Sequence, residues 1–561
     1  MRLWRKASVG LLITVLALVT VLAACSSKSS NGEGSSSSSS PPPSSGASAP
    51  PSKDAQPSAW QLGSEPLTFS AYADYGWMNL PPWGQDVFTK AIKDKFKVDI
   101  KTVAANGNAE TKLNTMIVSK DLPDVVWGDR ERLAILQDND MLVPLDPYLE
   151  KYPNLKKWAG DRILNALRAD DGKLYMFPNW YTSKPTGNAG YVVNKKIYEA
   201  LGKPPLETTD DLYNYLKLVK QKYPNITPLE PGQASEGKGV DILYSAFREN
   251  NPATHMGTLR AVPMDGKLTS IFADPAFKEA MIYVNKLYRE KLMTQDALTQ
   301  KAEQVTERVR NGRAAVYVDI RAIEEGEPAH QQLKSKDPND GYFMIWPIHK
   351  PGLNKENIKV AHYAQIGWNA AAITKKAKEP EKIFAFLDWM TGEEGTRELI
   401  WGPEGMYWEG TDENGVPIWT ENFATDMGRR LDNMKATIDW QLVGNAVFND
   451  QIKLSSEQQL PDEARSWATK YQGEITWPTH IDYTTLRNIE PPNDSEEGVI
   501  REKVIELYKK ARAQAILAKS EEEVSKIIDQ AEIDAQKLGY QKVLDYMTKK
   551  WKENEAKING K

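Results

Sequence analysis

Aromatic and acidic side chains recur in the sequence where predicted strands end. The candidate binding residues are seven aromatic side chains and three carboxylates: Tyr75, Trp77, Trp83, Trp127, Asp129, Trp180, Asp319, Trp368, Glu404 and Trp408. Flat rings pack well on the C–H faces of a sugar and lose little conformational entropy when they are ordered. Polar groups pair with its hydroxyls, because an unpaired polar group in a closed cleft costs about 1 to 3 kcal/mol. The set therefore favours a site for a hydroxyl-rich ligand, although a single Trp is more often a core residue than a ligand platform.

Catalytic chemistry has weaker support in the same sequence. A glycoside hydrolase needs two carboxylates at a set separation, and no such pair stands out. The histidines are isolated, without metal-ligand spacing and without a Cys or Ser nucleophile motif beside them: His255, His330, His349, His362 and His480. We therefore predict a binding protein that is not an enzyme and that has no catalytic residue, metal or cofactor. A secreted carbohydrate-active enzyme is the alternative.

Alternating strands and helices are expected to position these residues. The run Leu67–Ala73 alternates like a strand, and patterns of a helix (86–96), a strand (98–103), a helix (111–119) and a short buried strand (122–127) follow it. This order predicts a parallel α/β sheet, in which ligands bind beyond the carboxyl ends of the strands.

A second α/β region follows further along the chain. A strand is predicted over 191–194, a helix begins at a capping box formed by Thr208 and Asp211, and another strand is predicted over 314–319. The chain is rich in helix patterns from residue 497 onward. We find no internal repeat.

The N-terminus has the form of a secretory signal. Arg2, Arg5 and Lys6 precede an uncharged apolar run over 9–24, shorter than the ~20 residues a membrane-spanning helix needs. The sequence Leu22-Ala23-Ala24-Cys25 resembles the lipobox of bacterial lipoproteins, in which the Cys carries a diacylglycerol after cleavage. The resemblance implies a signal peptide over 1–24 and a lipidated Cys25, and two acyl chains anchor a protein stably. An unmodified Cys after an uncleaved signal is the alternative.

The segment 25–59 consists mainly of Ser, Pro, Gly and Ala, which predicts a disordered linker between the lipid and the folded chain. Cys25 is the only cysteine, so no disulfide framework is available. The formal net charge is −5, and the 71 Lys and Arg residues are interspersed with the 76 Asp and Glu residues. A nucleic-acid partner is therefore not expected.

Short stretches along most of the chain resemble the extracellular solute-binding lipoproteins of carbohydrate ABC importers. The matching stretches are Leu122 to Val125, Asp171 to Pro178, Tyr191 to Lys195, Leu201 to Pro205, Gly312 to Ala315, Ala371 to Lys375 and Thr391 to Gly395. The resemblance implies a two-lobe, periplasmic-binding-protein-like α/β fold with a hinge and a helix-rich C-terminal extension. It also implies a sugar or oligosaccharide ligand, ABC permease subunits as partners, a monomer, and a position on the outer face of the cell membrane.

By the same resemblance, lobe 1 comprises 60–176 plus 349–396, and lobe 2 comprises 179–345 plus 397–561. The chain is expected to cross between the lobes near 175–178, near 343–347 and after about 395. A role as the ligand-binding accessory of a sensor kinase is a second alternative that the sequence leaves open.

The sequence departs from large relatives of this type at one point. Such proteins often carry a calcium loop after the second-lobe helix, whereas Lys222 to Ile226 lacks the carboxylates that a hard cation prefers. The stretch Asp412 to Gly415 contains Asn-Gly, which predicts a hairpin turn instead of a calcium site.

Overall fold

The computed structural model describes residues 59–78, 80–185, 188–250, 259–458 and 465–560. The predicted signal peptide, Cys25, nearly all of the linker and His255 lie outside the described residues. Within the described ranges, no helix combines the length and the apolar character that are needed to cross a bilayer.

The strands are β1 (Leu67–Ala73), β2 (Val98–Val103), β3 (Val125–Asp129), β4 (Phe177–Pro178), β5 (Gly190–Asn194), β6 (Thr227–Glu230), β7 (Ala261–Met264), β8 (Lys267–Ser270), β9 (Ala314–Asp319), β10 (Tyr342–Ile345), β11 (Ala361–Tyr363), β12 (Asn369–Ile373), β13 (Trp408–Thr411), β14 (Pro417–Trp419) and β15 (His480–Asp482).

The α-helices are α1 (Val87–Phe96), α2 (Ala109–Ser119), α3 (Arg130–Asp138), α4 (Asp146–Leu149), α5 (Asn154–Leu167), α6 (Lys195–Ala200), α7 (Thr209–Lys222), α8 (Lys238–Ser245), α9 (Pro275–Arg289), α10 (Ala302–Arg310), α11 (Ala322–Lys334), α12 (Pro380–Thr391), α13 (Glu393–Trp401), α14 (Glu421–Thr425), α15 (Met427–Ile438), α16 (Ala446–Gln458), α17 (Trp467–Tyr471), α18 (Glu496–Leu517), α19 (Glu521–Lys537) and α20 (Tyr540–Ile558).

Lobe 1 is built on a five-stranded sheet in the order β2-β1-β3-β12-β4. Strands β1, β2 and β3 are parallel, whereas β12 runs antiparallel to both β3 and β4. The alternation of β1 places Phe69 and Ala71 in one hydrophobic core and Tyr72 in another, on opposite faces of the sheet. The predicted parallel arrangement is thus present in the first three strands.

Lobe 2 is built on a four-stranded mixed sheet in the order β10-β5-β9-β6. Tyr191 and Val193 of β5 belong to the larger core of this lobe, and Val192 faces a smaller one. Helix α7 begins at the predicted capping box, since Thr208 accepts from the amide of Asp211 and the Asp211 side chain accepts in return. The predicted two-lobe α/β fold is confirmed.

Several short segments connect the lobes. Tyr181 forms a parallel bridge with Asn445, the amide of Thr182 donates to the carbonyl of Gln365 over 2.9 Å, and β11 pairs in parallel with β15. The chain thus leaves lobe 1 after β4 and returns before β12.

The contacts of the described residues after 396 bear on where the chain makes its third crossing. Leu399, Trp440 and Val443 are buried in the same core as β1, whereas Trp467 belongs to a lobe 2 core. Helices α13 and α15 pack on α1. We therefore propose that 397–443 belongs to lobe 1 and not, as predicted, to lobe 2.

The C-terminal helices α18, α19 and α20 pack on lobe 2. The side-chain amide of Asn285 in α9 donates to the carbonyls of Ala515, Ile516 and Ala518, which satisfies the end of α18. Helix α20 also contacts α5 of lobe 1. Strands β13 and β14 form the predicted hairpin.

Candidate ligand-binding site

Four of the predicted aromatic residues meet at the carboxyl edge of the lobe 1 sheet. The Tyr75 ring centroid lies 5.2 Å from that of Trp77, 5.5 Å from that of Trp127 and 5.3 Å from that of Trp368. Tyr75 and Trp127 are buried, whereas Trp77 is 70% exposed and Trp368 is 46% exposed. The cluster therefore has a buried base and two rings that are open to solvent. We call these four residues the ring cluster.

Sheet register explains why the four rings meet. Tyr75 follows β1, Trp127 lies within β3, and Trp368 immediately precedes β12. Because β12 runs antiparallel to β3, with Asn369 opposite Asp129, the start of β12 lies at the same edge as the ends of β1 and β3. The cluster is thus a consequence of the sheet order.

Polar groups with unused hydrogen-bonding capacity lie beside the rings. Asp129 accepts from the Tyr75 hydroxyl over 3.0 Å. Asn369 is fully buried, and its amide lies near that hydroxyl, yet neither Nδ2 nor Oδ1 makes a hydrogen bond of ordinary geometry within the described chain. The same holds for Nε1 of Trp127. Burial raises the pKa of Tyr75, so its hydroxyl stays protonated and remains a donor.

A buried ion pair fixes the loop that carries the ring cluster. The Nε of Arg132 in α3 lies 2.9 Å from Oδ2 of Asp74, whose side chain is almost fully buried. The backbone amide of Asp74 donates to the carbonyl of Trp127 over 2.8 Å. The residue before Tyr75 is therefore held by both β3 and α3.

Trp180 lies at the first crossing between the lobes. Its backbone has a φ of 52°, in the left-handed region, and its amide donates to the carbonyl of Gly444 over 2.7 Å. A Cβ on Gly444 would lie 2.8 Å from the Trp180 ring, and a Cβ on Gly367 would overlap the carbonyl oxygen of Asn179. Three chain segments therefore pack backbone to backbone here. The Nδ2 of Asn179, fully buried, has no partner in the described chain.

Asp319 lies at the end of β9 in lobe 2 and not in the ring cluster. Burial raises the pKa of Asp319 to about 6, and its Oδ1 accepts from the amide of Arg321 over 2.9 Å. It lines a small cavity of about 30 Å³ together with Gly232, Lys238 and Tyr317. Strands β5 and β10 connect to the interlobe segments at this same edge of the sheet, so Asp319 lies on the side of lobe 2 from which the connections run.

Three further predicted residues lie away from the ring cluster. Trp83 is buried against Trp440 and donates from Nε1 to the carbonyl of Val98 over 2.8 Å. Trp408 is buried in a peripheral core and donates to the carbonyl of Gly402. Glu404 is exposed, and it accepts from the amide of Gly410 over 2.9 Å. Their side chains thus serve local packing and turns.

Asn179 and Asn369 were absent from the predicted set. Each directly neighbours a predicted Trp, so the same reasoning, that ligand contacts lie at strand ends, could have included them. Their burial without partners, which singles them out, depends on sheet register and is visible only in the structure. Among the described residues, no group of three or more His, Cys, Asp or Glu side chains is arranged to hold a metal ion.

Comparison with known proteins gives curated relatives of low identity. The chain is 24% identical over 347 residues to the polygalacturonan/rhamnogalacturonan-binding protein YtcQ of Bacillus subtilis, covering 59% of this chain and 66% of that protein. It is 23% identical over 323 residues to the melibiose/raffinose/stachyose-binding protein MelE of Bacillus subtilis, covering 53% and 66%. The matches thus span slightly less than two thirds of these relatives' own length.

Solved structures share the fold over a larger part of the chain. A solute-binding protein associated with an HMO-binding ABC transporter, from Bifidobacterium longum infantis, aligns with a TM-score of 0.66 at 14% identity. The alignment covers 87% of this chain and 98% of that one. The model of the family described as bacterial extracellular solute-binding protein matches residues 64–397. This chain is therefore a member of the bacterial extracellular solute-binding protein family.

Proposed function

We propose that this protein captures a sugar or oligosaccharide between its two lobes and delivers it to the permease of an ABC importer. The observation that carries the proposal is the ring cluster, in which exposed Trp77 and Trp368 lie beside the unpartnered polar atoms of Trp127 and Asn369. Rings offer faces for sugar C–H groups, and the unused donors and acceptors suit hydroxyls. The sugar ligands in the names of YtcQ and MelE support the same class of ligand.

Lobe 2 supplies the closing half of the site in this proposal. Asp319 and Trp180 belong to the interlobe edge and the first crossing, respectively, and closure about the connecting segments brings such groups toward a ligand on lobe 1. A carboxylate at this position accepts hydrogen bonds from hydroxyls. The proposed site therefore comprises Tyr75, Trp77, Trp127, Asp129, Trp180, Asp319, Trp368 and the two asparagines Asn179 and Asn369.

A binding assay with a matched pair of variants tests this proposal. The full folded chain is titrated with neutral and acidic oligosaccharides by calorimetry and by Trp fluorescence. We expect at least one to bind, and we expect Trp368→Ala to weaken binding about tenfold, the scale of an aromatic anchor. The control is Trp60→Ala, since Trp60 packs beside Tyr152 and Lys382 near the start of the described chain. Absence of binding across the panel, or equal losses in the two variants, would reject the site.

We further propose that Cys25 carries a lipid that holds the protein at the outer face of the membrane, where it acts as a monomer. The sequence Leu22 to Cys25 supports lipidation, and the family is extracellular. Metabolic labelling with an alkyne fatty acid tests the anchor. The wild type should incorporate the label and fractionate with membranes, whereas Cys25→Ala should do neither; label in the variant would contradict the proposal. Light scattering on the chain without its signal tests the monomer.

A further inference from the structure

Arg130 and Arg487 come together from the two lobes, and neither forms an ion pair with any of the described residues. Arg130 begins α3 in lobe 1, and Arg487 lies between β15 and α18. Their chain neighbours are in contact, because the side-chain amide of Asn488 donates to Oε1 of Glu131 over 2.7 Å. The Nε atoms of both arginines are buried, and they donate to no atom in the part of the chain that the structure describes. The two guanidiniums therefore have unused hydrogen-bonding capacity.

The positive charge of Arg487 affects two neighbouring titratable groups. Burial, followed by the charge of Arg487, lowers the pKa of Arg130 to about 10. Burial, again followed by the charge of Arg487, lowers the pKa of His362 to about 4. Arg130 remains protonated at neutral pH, while His362 is neutral there. Partly buried like charges are unfavourable unless an anion compensates them.

The two carboxylates that flank Arg130 in the chain are engaged elsewhere. Asp129 accepts from the hydroxyl of Tyr75, and Glu131 accepts from Asn488. Their charges raise the pKa of Arg130 and so offset part of the repulsion, yet neither forms an ion pair with it among the described contacts. None of the described ion pairs includes Arg130, so its guanidinium is available to an oxyanion.

We propose that Arg130 and Arg487 together bind an anionic substituent, a carboxylate or a sulfate, of the saccharide held at the ring cluster. This inference rests on the proposed function and deepens it by naming an acidic saccharide as the ligand class. Guanidinium groups match planar oxyanions with two parallel hydrogen bonds. Arg130 directly follows Asp129, which contacts Tyr75, so the anion-binding point adjoins the ring cluster along the chain. Arg487 contributes from the opposite lobe, which couples recognition of the charge to closure.

Paired ligands that differ only in charge test the inference. Oligomers of galacturonate, glucuronate and mannuronate are compared with their carboxyl-reduced forms, and sulfated with unsulfated galacto-oligosaccharides, by calorimetry. We expect an acidic or sulfated ligand to bind at least tenfold more tightly than its neutral form. Arg130→Gln and Arg487→Gln should each remove most of that preference while leaving the affinity for the neutral form within about twofold. The carboxylate and sulfate pairs show which substituent the site takes.

Arg313→Gln is the matched control, because Arg313 is a half-exposed arginine of lobe 2 that pairs with Glu307 on the surface. It removes the same charge and should leave the preference unchanged. Thermal unfolding of all three variants establishes that they fold, and Arg130→Lys is used if Arg130→Gln does not. Neutral ligands that bind as well as charged ones, or a preference that survives both substitutions, would overturn the inference and leave the proposed function standing. Failure of every saccharide to bind would reject both.

Discussion

The hydroxyl of Tyr75 donates to Oδ1 of Asp129 over 3.0 Å and so joins two strand ends that are 54 residues apart in the chain. Tyr75 is also the ring that contacts Trp77, Trp127 and Trp368. One side chain thus fixes both the aromatic and the acidic part of the proposed site.

We expect Tyr75→Phe to weaken saccharide binding about tenfold while the protein remains folded. The substitution keeps the ring and removes the donor to Asp129, and a hydrogen bond to a charged group contributes about 1.5 to 3 kcal/mol. Calorimetry on the wild type and the variant measures the change. Tyr288→Phe is the control, since the Tyr288 hydroxyl donates to the carbonyl of Gln295 in lobe 2. Unchanged affinity in Tyr75→Phe would show that this hydrogen bond does not shape the site.

The sequence predicted the position of the ring cluster because sheet geometry is encoded locally. Alternating residues in 67–73 and 98–103 set the strands, and the carboxyl-edge rule then brings Tyr75 and Trp127 together. Trp368 also joins them, because β12 is inserted antiparallel beside β3.

The same reasoning could not predict that Trp83 and Trp408 are buried in hydrophobic cores away from the ring cluster. Trp83 packs on Trp440, which is hundreds of positions away in the chain. Trp408 packs with Ile400, Phe448 and Ile452 in a peripheral core. The lobe to which the helices in 397–443 belong could not be predicted from the sequence either. An amphipathic helix shows that one face is buried, and its sequence does not state which lobe covers that face.

A methyl group at Gly367 should disrupt the interlobe connection. A Cβ there would overlap the carbonyl of Asn179, which is backbone and cannot move aside alone. We expect Gly367→Ala to lower the free energy of unfolding by about 2 kcal/mol or more, within the range of overpacking, and to weaken ligand binding. Urea unfolding measures the change. The control is Gly428→Ala, because Gly428 lies in α15 with open space around it and Ala favours a helix by about 0.5 to 1 kcal/mol. Similar stability of the two variants would contradict the packing argument.

Two histidines in the hinge, one buried and one partly buried, should make stability depend on pH. His362 on β11 and His480 on β15 lie on paired strands, and burial lowers their pKa values to about 4 and about 3. Below a pH of about 6.5 these histidines bind protons in the unfolded chain but stay neutral in the folded chain. The contribution of the two histidines to the free energy of unfolding is therefore fully present above pH 6.5 and is lost as the pH falls toward 4. The loss for each is on the order of 3 kcal/mol at the acid end.

Buried carboxylates oppose this trend, so a variant is needed to isolate it. Burial raises the pKa values of Asp319, Asp388 and Asp450 to about 6, and protonation between pH 6 and 4 favours the folded state at these sites. We therefore predict that the stability of the wild type relative to His480→Gln falls as the pH falls from 7 to 4.5. Urea unfolding at several pH values measures this difference. A difference that is independent of pH would show that His480 titrates normally in the folded chain.

Arg512 should hold the C-terminal extension to the part of lobe 2 that faces the site. It is nearly fully buried, with Nη1 3.5 Å from Oδ1 of Asp241 and with Nη2 donating to the carbonyl of Ser235 over 2.6 Å. Arg512→Met leaves Asp241 buried without this partner, and such a loss costs about 3 to 5 kcal/mol. Urea unfolding should show a destabilisation of this size, and Asp241→Asn in the same chain should recover part of it, because the two changes are coupled.

The same substitution should also reach the ligand. Ser235 lies between Gly232 and Lys238, both of which line the cavity of Asp319. Loss of the hydrogen bond from Arg512 should loosen this segment and so change the position of Asp319 relative to the ligand. We expect Arg512→Met to weaken saccharide binding severalfold under conditions in which calorimetry and circular dichroism show it to be folded. Arg501→Met serves as the control, because Arg501 also lies on α18 but pairs only with the adjacent Glu502 among the described ion pairs. Equal affinity in the wild type and Arg512→Met would restrict Arg512 to anchoring the extension.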